Sequence, residues 1–207
     1  MSISLSEIRS DVRARVGDET GKLTNTLLNH WANIGQNVVY NQLLPIISPK
    51  LTESLAGTIT ANINKYLLPA DCRDIRRVKV NGYKAREKVI DEIDSVTTGY
   101  EQATITEPAF LEWAGKIEIY PIPSQTGTYQ VDYLKQIIPL VLDTDISGLP
   151  EEYHGLIVDY VEMLSLRKLN RGNDAVNSEN TIAKMFTDIL GANANQLQIQ
   201  QVMKEQG

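Results

Sequence analysis

Apolar residues change their spacing twice along this chain. Leu27, Trp31, Ile34 and Val38 recur every three or four positions, the spacing of one helix face, and Leu5, Ile8, Val12 and Val16 do the same nearer the start. Between Gly57 and Tyr133 the period falls to two, in short runs such as Lys116-Ile117-Glu118-Ile119-Tyr120, which predict strands with one buried face. From Pro150 the helical spacing returns at Tyr153, Leu156, Ile157, Tyr160, Val161 and Leu164. The pattern predicts an α+β fold, a bundle of about four helices into which a small antiparallel β-sandwich or barrel is inserted.

Local signals place the boundaries. Ser4 and Glu7 have the spacing of a capping box, and Gly17 suits the left-handed end of a first helix. Thr24 can cap a second helix, expected to stop near Leu43 ahead of Pro45 and Pro49. Strands are predicted at Thr58–Asn62, Asp74–Val80, Ala103–Thr106, Ala109–Trp113, Lys116–Tyr120 and Thr128–Lys135, with turns at Asn81-Gly82 and Ala114-Gly115. Leu149-Pro150-Glu151-Glu152 opens a third helix to about Asn170, with Gly172 beyond its end. A fourth is predicted near Ser178–Leu190, using Ile182, Met185, Phe186 and Ile189. After Gly191 the chain is polar and amide-rich with sparse apolar anchors at Leu197, Ile199 and Val202, so a tail that is mobile until a partner orders it is expected. The domains expected are 1–50 with 145–190 as the helical bundle, 51–144 as the inserted β domain, and 191–207 as the flexible tail.

Composition narrows the chemistry. The chain has 207 residues, a net charge of −6, two histidines and one cysteine. The single Cys72 cannot form an internal disulfide or a multi-cysteine zinc site and is expected to behave as a small apolar residue. No apolar run approaches the about 20 residues of a membrane span, and Met1-Ser2-Ile3-Ser4 lacks the basic and apolar regions of a secretory leader, so a soluble protein made in the cytoplasm is expected. An acidic balance opposes binding to nucleic acid through phosphates. The one dense basic cluster, Arg73, Arg76, Arg77 and Lys79 followed by Lys84, Arg86 and Lys88, alternates with Ile75, Val78 and Val80 and reads as the solvated face of a strand, or else as a patch for an acidic partner surface. His30 and His154 have no second ligand at metal spacing, and no phosphate loop, nucleophile elbow or zinc-protease motif occurs. Two other readings stay open. Glu107, Glu112 and Glu118 fall around predicted strands and could supply the carboxylate pair of a cell-wall glycoside hydrolase. Tyr83, Tyr100, Phe110, Trp113, Tyr120, Tyr129 and Tyr133 could form a stacking platform for single-stranded nucleic acid, although a sandwich core explains them as well. No cofactor or metal is expected, and no catalytic residue is assigned.

Three segments, in order, carry a resemblance. Tyr66-Leu67-Leu68-Pro69-Ala70-Asp71-Cys72-Arg73-Asp74-Ile75 is similar to a Y-x-L-P-x-D segment that leads into a strand. Lys116-Ile117-Glu118-Ile119-Tyr120-Pro121-Ile122-Pro123 is followed by Tyr129-Gln130-Val131-Asp132-Tyr133, and Leu149-Pro150-Glu151-Glu152-Tyr153-His154 opens a helix after the acidic linker Asp143–Ser147. Together with the helix–β–helix layout over residues 1–190, they resemble the head-to-tail adaptor (connector) proteins of tailed bacteriophages, the short-tailed type with a β insertion. The resemblance implies a non-enzymatic virion protein at the head–tail junction. It forms a ring, generally of twelve copies, beneath the portal protein, extends the DNA channel, and carries the tail (nozzle or tube) proteins. It implies that helices form the ring body, that the β insertion faces the tail and that the C-terminal segment reaches the portal. On that frame Leu197, Ile199 and Val202 are the expected portal contacts, and Ser95, Val96, Thr97, Thr98, Gly99 and Tyr100 the expected tail-facing loop. The resemblance also implies that packaged DNA passes through the channel without specific binding.

Overall fold

The computed structural model of the protein describes residues 2–18, 21–89 and 104–205, with 194–205 described by backbone alone. The chain divides into two compact units, Met1–Lys50 with Ile137–Gly207, and Leu51–Gln136.

The first unit is helical. Helix α1, Leu5–Val16, begins with the capping box: Glu7 N–H donates to the Ser4 hydroxyl, and Ser4 N–H donates to Glu7 Oε2 at 2.7 Å. It ends at Gly17, whose φ of 64° is the left-handed conformation that the missing Cβ permits. Helix α2, Asn25–Ile47, is capped by Thr24 as expected, but it runs past Leu43 and through Pro45. Proline removes one amide from the last turn. Leu43 and Ile47, both fully buried on either side of it, hold that turn helical, so burial outweighs the local cost. The buried face of α2 is also displaced from the expected stripe. Leu27, Trp31, Ile34 and Val38 are half-buried, whereas the buried residues include Leu28, Ala32, Gly35, Val39 and Leu43. The centre of that face is small because the next helix comes close: a Cβ on Gly35 would lie 3.4 Å from Ile157.

Helix α3, His154–Lys168, follows a single 3-10 turn at Glu151–Tyr153, with Pro150 still extended ahead of it. Its buried residues include Leu156, Ile157, Val158, Val161, Met163 and Leu166, which cover most of its circumference; it is the central helix, packed on α1, α2 and the last helix. It ends at Lys168, two residues short of the expected Asn170, which is left-handed (φ 61°), and Gly172, expected beyond that end, begins helix α4, Gly172–Glu205. This helix continues through Gly191, so the expected end near Leu190 is not observed and residues 191–205 have helical backbone. At 1.5 Å per residue its 34 residues span about 51 Å, against about 22 Å for the 15 of α3.

The second unit is a sandwich of two four-stranded sheets. One has the order β1 (Thr52–Ile59), β8 (Gly127–Lys135), β3 (Cys72–Val80), β4 (Tyr83–Lys84), and the other β2 (Lys65–Leu67), β7 (Lys116–Tyr120), β6 (Ala109–Trp113), β5 (Arg86–Glu87). All pairs are antiparallel except β5 with β6. Ile59, Val78 and Val131 from one sheet meet Phe110, Ile117 and Ile119 from the other in one core. β6 and β7 have the expected limits. Thr58–Asn62 does not: β1 starts at Thr52 and ends at Ile59, because it pairs with β8 along its whole length. Within the expected strand Ala103–Thr106, Ala103 lies outside the described residues and the rest forms a turn in which Glu107 N–H donates to Thr104 Oγ1. Asn81-Gly82 and Ala114-Gly115 both have positive φ at both positions, the turn geometry that matches strand twist.

The chain re-enters the helical unit at Ile137, earlier than the expected 145. Residues 137–149 form an irregular strap along α1 and α2, with a turn at residues 142–145 closed by a bond from Asp145 N–H to the Leu142 carbonyl. Leu5 and Ser6 N–H groups donate to the carbonyls of Asp145 and Asp143, and Ser4 pairs with Ile146 as an isolated bridge. No described helix is long and apolar enough to cross a membrane.

Candidate functional site

The side chains most able to do chemistry are tied into structure. His154 is buried; its Nδ1 accepts from Ile3 N–H at 3.2 Å and its Nε2 donates to the Leu149 carbonyl at 2.8 Å. Both nitrogens are thereby spent on joining the start of the chain to the start of α3. His30 is exposed on α2. Cys72 is half-buried, and burial, then the nearby Glu112 carboxylate, pushes its thiol up, away from the reactive thiolate. Among the described residues no group of three or more His, Cys, Asp or Glu could hold a metal ion.

The three candidate carboxylates are not brought together as a pair. In the β6–β7 ladder Leu111 faces Glu118 and Glu112 faces Ile117, so Glu112 and Glu118 project from opposite faces of the sheet. Glu118 is buried. An ion pair with Lys65 at 2.8 Å is the main cause that holds its carboxyl below the usual range, and the Tyr120 hydroxyl donates to it at 2.9 Å. Glu112 shifts the other way, raised by burial and by Glu87 and Asp74. Glu107 lies in the Thr104 turn beside Arg86.

The aromatic candidates do not share one open face. Phe110, Tyr120 and Tyr133 are buried, and Tyr129 stacks on Tyr66 with ring centres 4.8 Å apart. Trp113 and Tyr83 are exposed, on different sheets, and Tyr100 lies outside the described residues. The basic cluster spreads over β3, β4, β5 and beyond. Two bulges in β3, at Cys72/Asp74 and Ile75/Arg77, break the alternation, so Arg76 and Arg77 are adjacent in sequence and both exposed. Arg76 pairs with Asp74, and Arg77 with Asp132.

What the structure offers instead is surface for assembly. On the strap, Ile138 (66% exposed), Val141 (71%), Leu142 (63%) and Ile146 (52%) stand open within nine positions, while Ile137, Leu140 and Leu149 turn inward. This exposure is not slack. Asn33 Nδ2 donates to the Leu140 carbonyl at 2.9 Å and Leu140 N–H returns a bond to Asn33 Oδ1 at 2.7 Å. Gln36, buried in α2, donates to the Ile138 carbonyl and accepts from Ser147. Val141 and Leu142 N–H both donate to Asp145 Oδ2, which lowers its pKa. Sequence reasoning did not single the strap out. The signal was there: Ile137-Ile138-Pro139-Leu140-Val141-Leu142 is too apolar for a solvated linker.

Leu197, Ile199 and Val202 lie on the C-terminal part of α4, and the Ser95–Tyr100 loop falls outside the described residues. A family model described as SU10 adaptor protein matches residues 3–204. This chain belongs to the SU10 adaptor protein family. The match covers both units, in agreement with the resemblance to phage head-to-tail adaptors that Tyr66–Ile75, Lys116–Pro123 and Leu149–His154 carry. No individual curated protein matches the chain.

Proposed function

We propose that this SU10-family adaptor is one subunit of a ring, of twelve copies, at the head–tail junction of a tailed phage, a virion component that works by holding its neighbours and not by catalysis. The observation that carries the reading is the family match over residues 3–204. The helical unit forms the ring body. The C-terminal part of α4, with Leu197, Ile199 and Val202, docks on the portal protein, and its length beyond the reach of α3 supports that role. The β unit, with Ser95–Tyr100, faces the tail proteins. DNA passes through the ring without specific contacts; a charge of −6 per chain, about −72 for twelve, supports a wall that repels it.

The test is the mass of the protein alone and with portal rings, by light scattering or native mass spectrometry. Recruitment into a stoichiometric complex, lost on removal of residues 191–207, is the expected result. A chain that associates neither with itself nor with the portal overturns the reading.

A further inference from the structure

The two sheets of the β unit have four edges, β1 and β4 in one and β2 and β5 in the other. Three of these are short: β2 has three residues, β4 and β5 two each. β1 has eight, and it pairs with β8 from Thr52 to Ile59 without a register shift, so its outer side is long and straight. In an antiparallel edge strand, alternate residues turn both N–H and C=O away from the neighbouring strand. Among the described residues nothing meets those outward groups in residues 53–59, whose backbone bonds go to β8 alone. A long open edge is a template for pairing with another chain, and proteins usually blunt it with lysine, proline, a bulge or a short length. β1 has none of these: the bulges of its sheet are in β3, an interior strand.

The side chains of β1 define what fits beside it. Leu55 and Ile59 pack on the sandwich core, whereas Ser54, Ala56 and Thr58 are exposed on the other face. The one charged residue, Glu53, is paired with Lys135 at 2.9 Å, so the edge presents no free charge to a partner. The matching strand is therefore uncharged and about eight residues, or about 26 Å, long. Its apolar side chains continue the core past Leu55 and Ile59, and its small polar ones lie beside Ser54, Ala56 and Thr58. Among the described residues a second copy offers no such strand except its own β1, since its other edges are two or three residues long. β1 against β1 makes a two-fold contact, and a ring built from one repeated head-to-tail contact has no place for it between neighbours.

We propose that β1 receives an extended, uncharged strand of a tail protein, which joins the β1–β8–β3–β4 sheet as its fifth strand. The assignment rests on the reading that the β unit faces the tail, and adds to it the element and the mode of contact. The test uses the full chain and the purified tail (nozzle or tube) protein of the same phage. In the free chain, hydrogen exchange is expected to alternate between fast and slow amides along residues 53–59, and the fast ones are expected to become protected when tail protein binds. The variant A56K/T58K puts two charges at exposed positions on the edge. It is expected to weaken tail binding about tenfold or more while portal binding and circular dichroism stay unchanged. T128K, on the same face but one strand in, is expected to bind tail protein as the wild type does. T58K alone replaces the double variant if that one misfolds, and the exchange measurement on the wild type needs no variant. Tail protein that binds while the β1 amides stay in fast exchange overturns the strand addition and leaves the tail-facing reading standing. T128K that fails as A56K/T58K does moves the contact to the sheet face and overturns it too. Two-fold dimers of the free chain that disappear in A56K/T58K make a second copy the occupant, with the same consequence. Tail protein that binds the helical unit alone, or does not bind at all, sinks the tail-facing reading and this strand with it.

Discussion

Asp132, in the middle of β8, is buried and yet charged. Burial alone would raise its pKa, but hydrogen bonds from Ser54 at 2.5 Å, Gln130 at 2.8 Å and Arg77 Nε at 2.6 Å outweigh it and hold the carboxyl below the usual aspartate range. Because Ser54 is on β1 and Arg77 on β3, one carboxylate ties three strands together. A lowered folded-state pKa means that its stabilisation is present above the unfolded value of about 4 and is lost as pH falls through the folded value. The urea midpoint of the wild type should therefore drop between about pH 5 and 2. Asp132→Asn should cost about 1–3 kcal/mol at neutral pH, discounted because Arg77 is half exposed, and should flatten that acid dependence. An unchanged midpoint and unchanged acid limb would show the network to be idle. Little of this was legible in sequence. Gln130 and Asp132 alternate with Val131 and Tyr133, which reads as a solvated face, and Arg77 reads as one more cation in a basic run. Only the register puts Asp132 opposite both Ser54 and Arg77. His154 was likewise readable as a helix residue without metal partners, but not as the bridge between Ile3 and Leu149, which are far apart in sequence.

At the scale of elements, what could be read were features set by neighbours a few residues away. The Ser4–Glu7 box, the Gly17 end, the Thr24 cap and the β6–β7 hairpin around Ala114-Gly115 all appear where local chemistry puts them. The elements that departed from expectation are set by distant contacts: α2 passes Pro45 because Leu43 and Ile47 are buried, and β1 begins at Thr52 because β8 lies beside it. The strap belongs to the second kind, since its shape depends on Asn33 and Gln36 about a hundred positions away in sequence. Asn33→Ala removes both bonds to Leu140 and should cost about 1–3 kcal/mol. Hydrogen exchange should then quicken at the Leu140, Val141 and Leu142 amides more than in α3, and equal protection in the wild type and the variant would mean that the clamp does not hold the strap. In the β unit, Gly57 lies under the Tyr129 ring, and an added Cβ would come within 2.4 Å of it. Gly57→Ala must push Tyr129 off Tyr66, which is expected to cost about 1–3 kcal/mol by thermal melting, whereas Gly82→Ala, at an open turn, should be limited to backbone strain.

For the molecule as a whole, the two-unit division makes the roles separable. The β unit leaves and returns to the helical unit through adjacent strands, since Thr52 near its start pairs with Leu134 near its end. Its ends are therefore only about one strand spacing apart, roughly 5 Å. Among the described residues its core, centred on Ile59, Val78, Phe110, Ile117 and Val131, draws on residues of its own unit. The helical unit is similarly complete, with α3 covered by α1, α2 and α4 and with the strap already bonded to α1 and α2 on its own side of the junction. Replacing residues 51–136 by a short Gly-Ser linker should thus leave a helical protein by circular dichroism. If the ring is built from the helical units, that shortened chain should assemble as the full chain does and still bind the portal. It should fail to bind tail proteins, because the surface assigned to them has gone. Loss of self-assembly in a shortened chain that remains folded would move the ring contacts to the β unit, and continued tail binding would move the tail platform to the helices; each result redirects one role without disturbing the other.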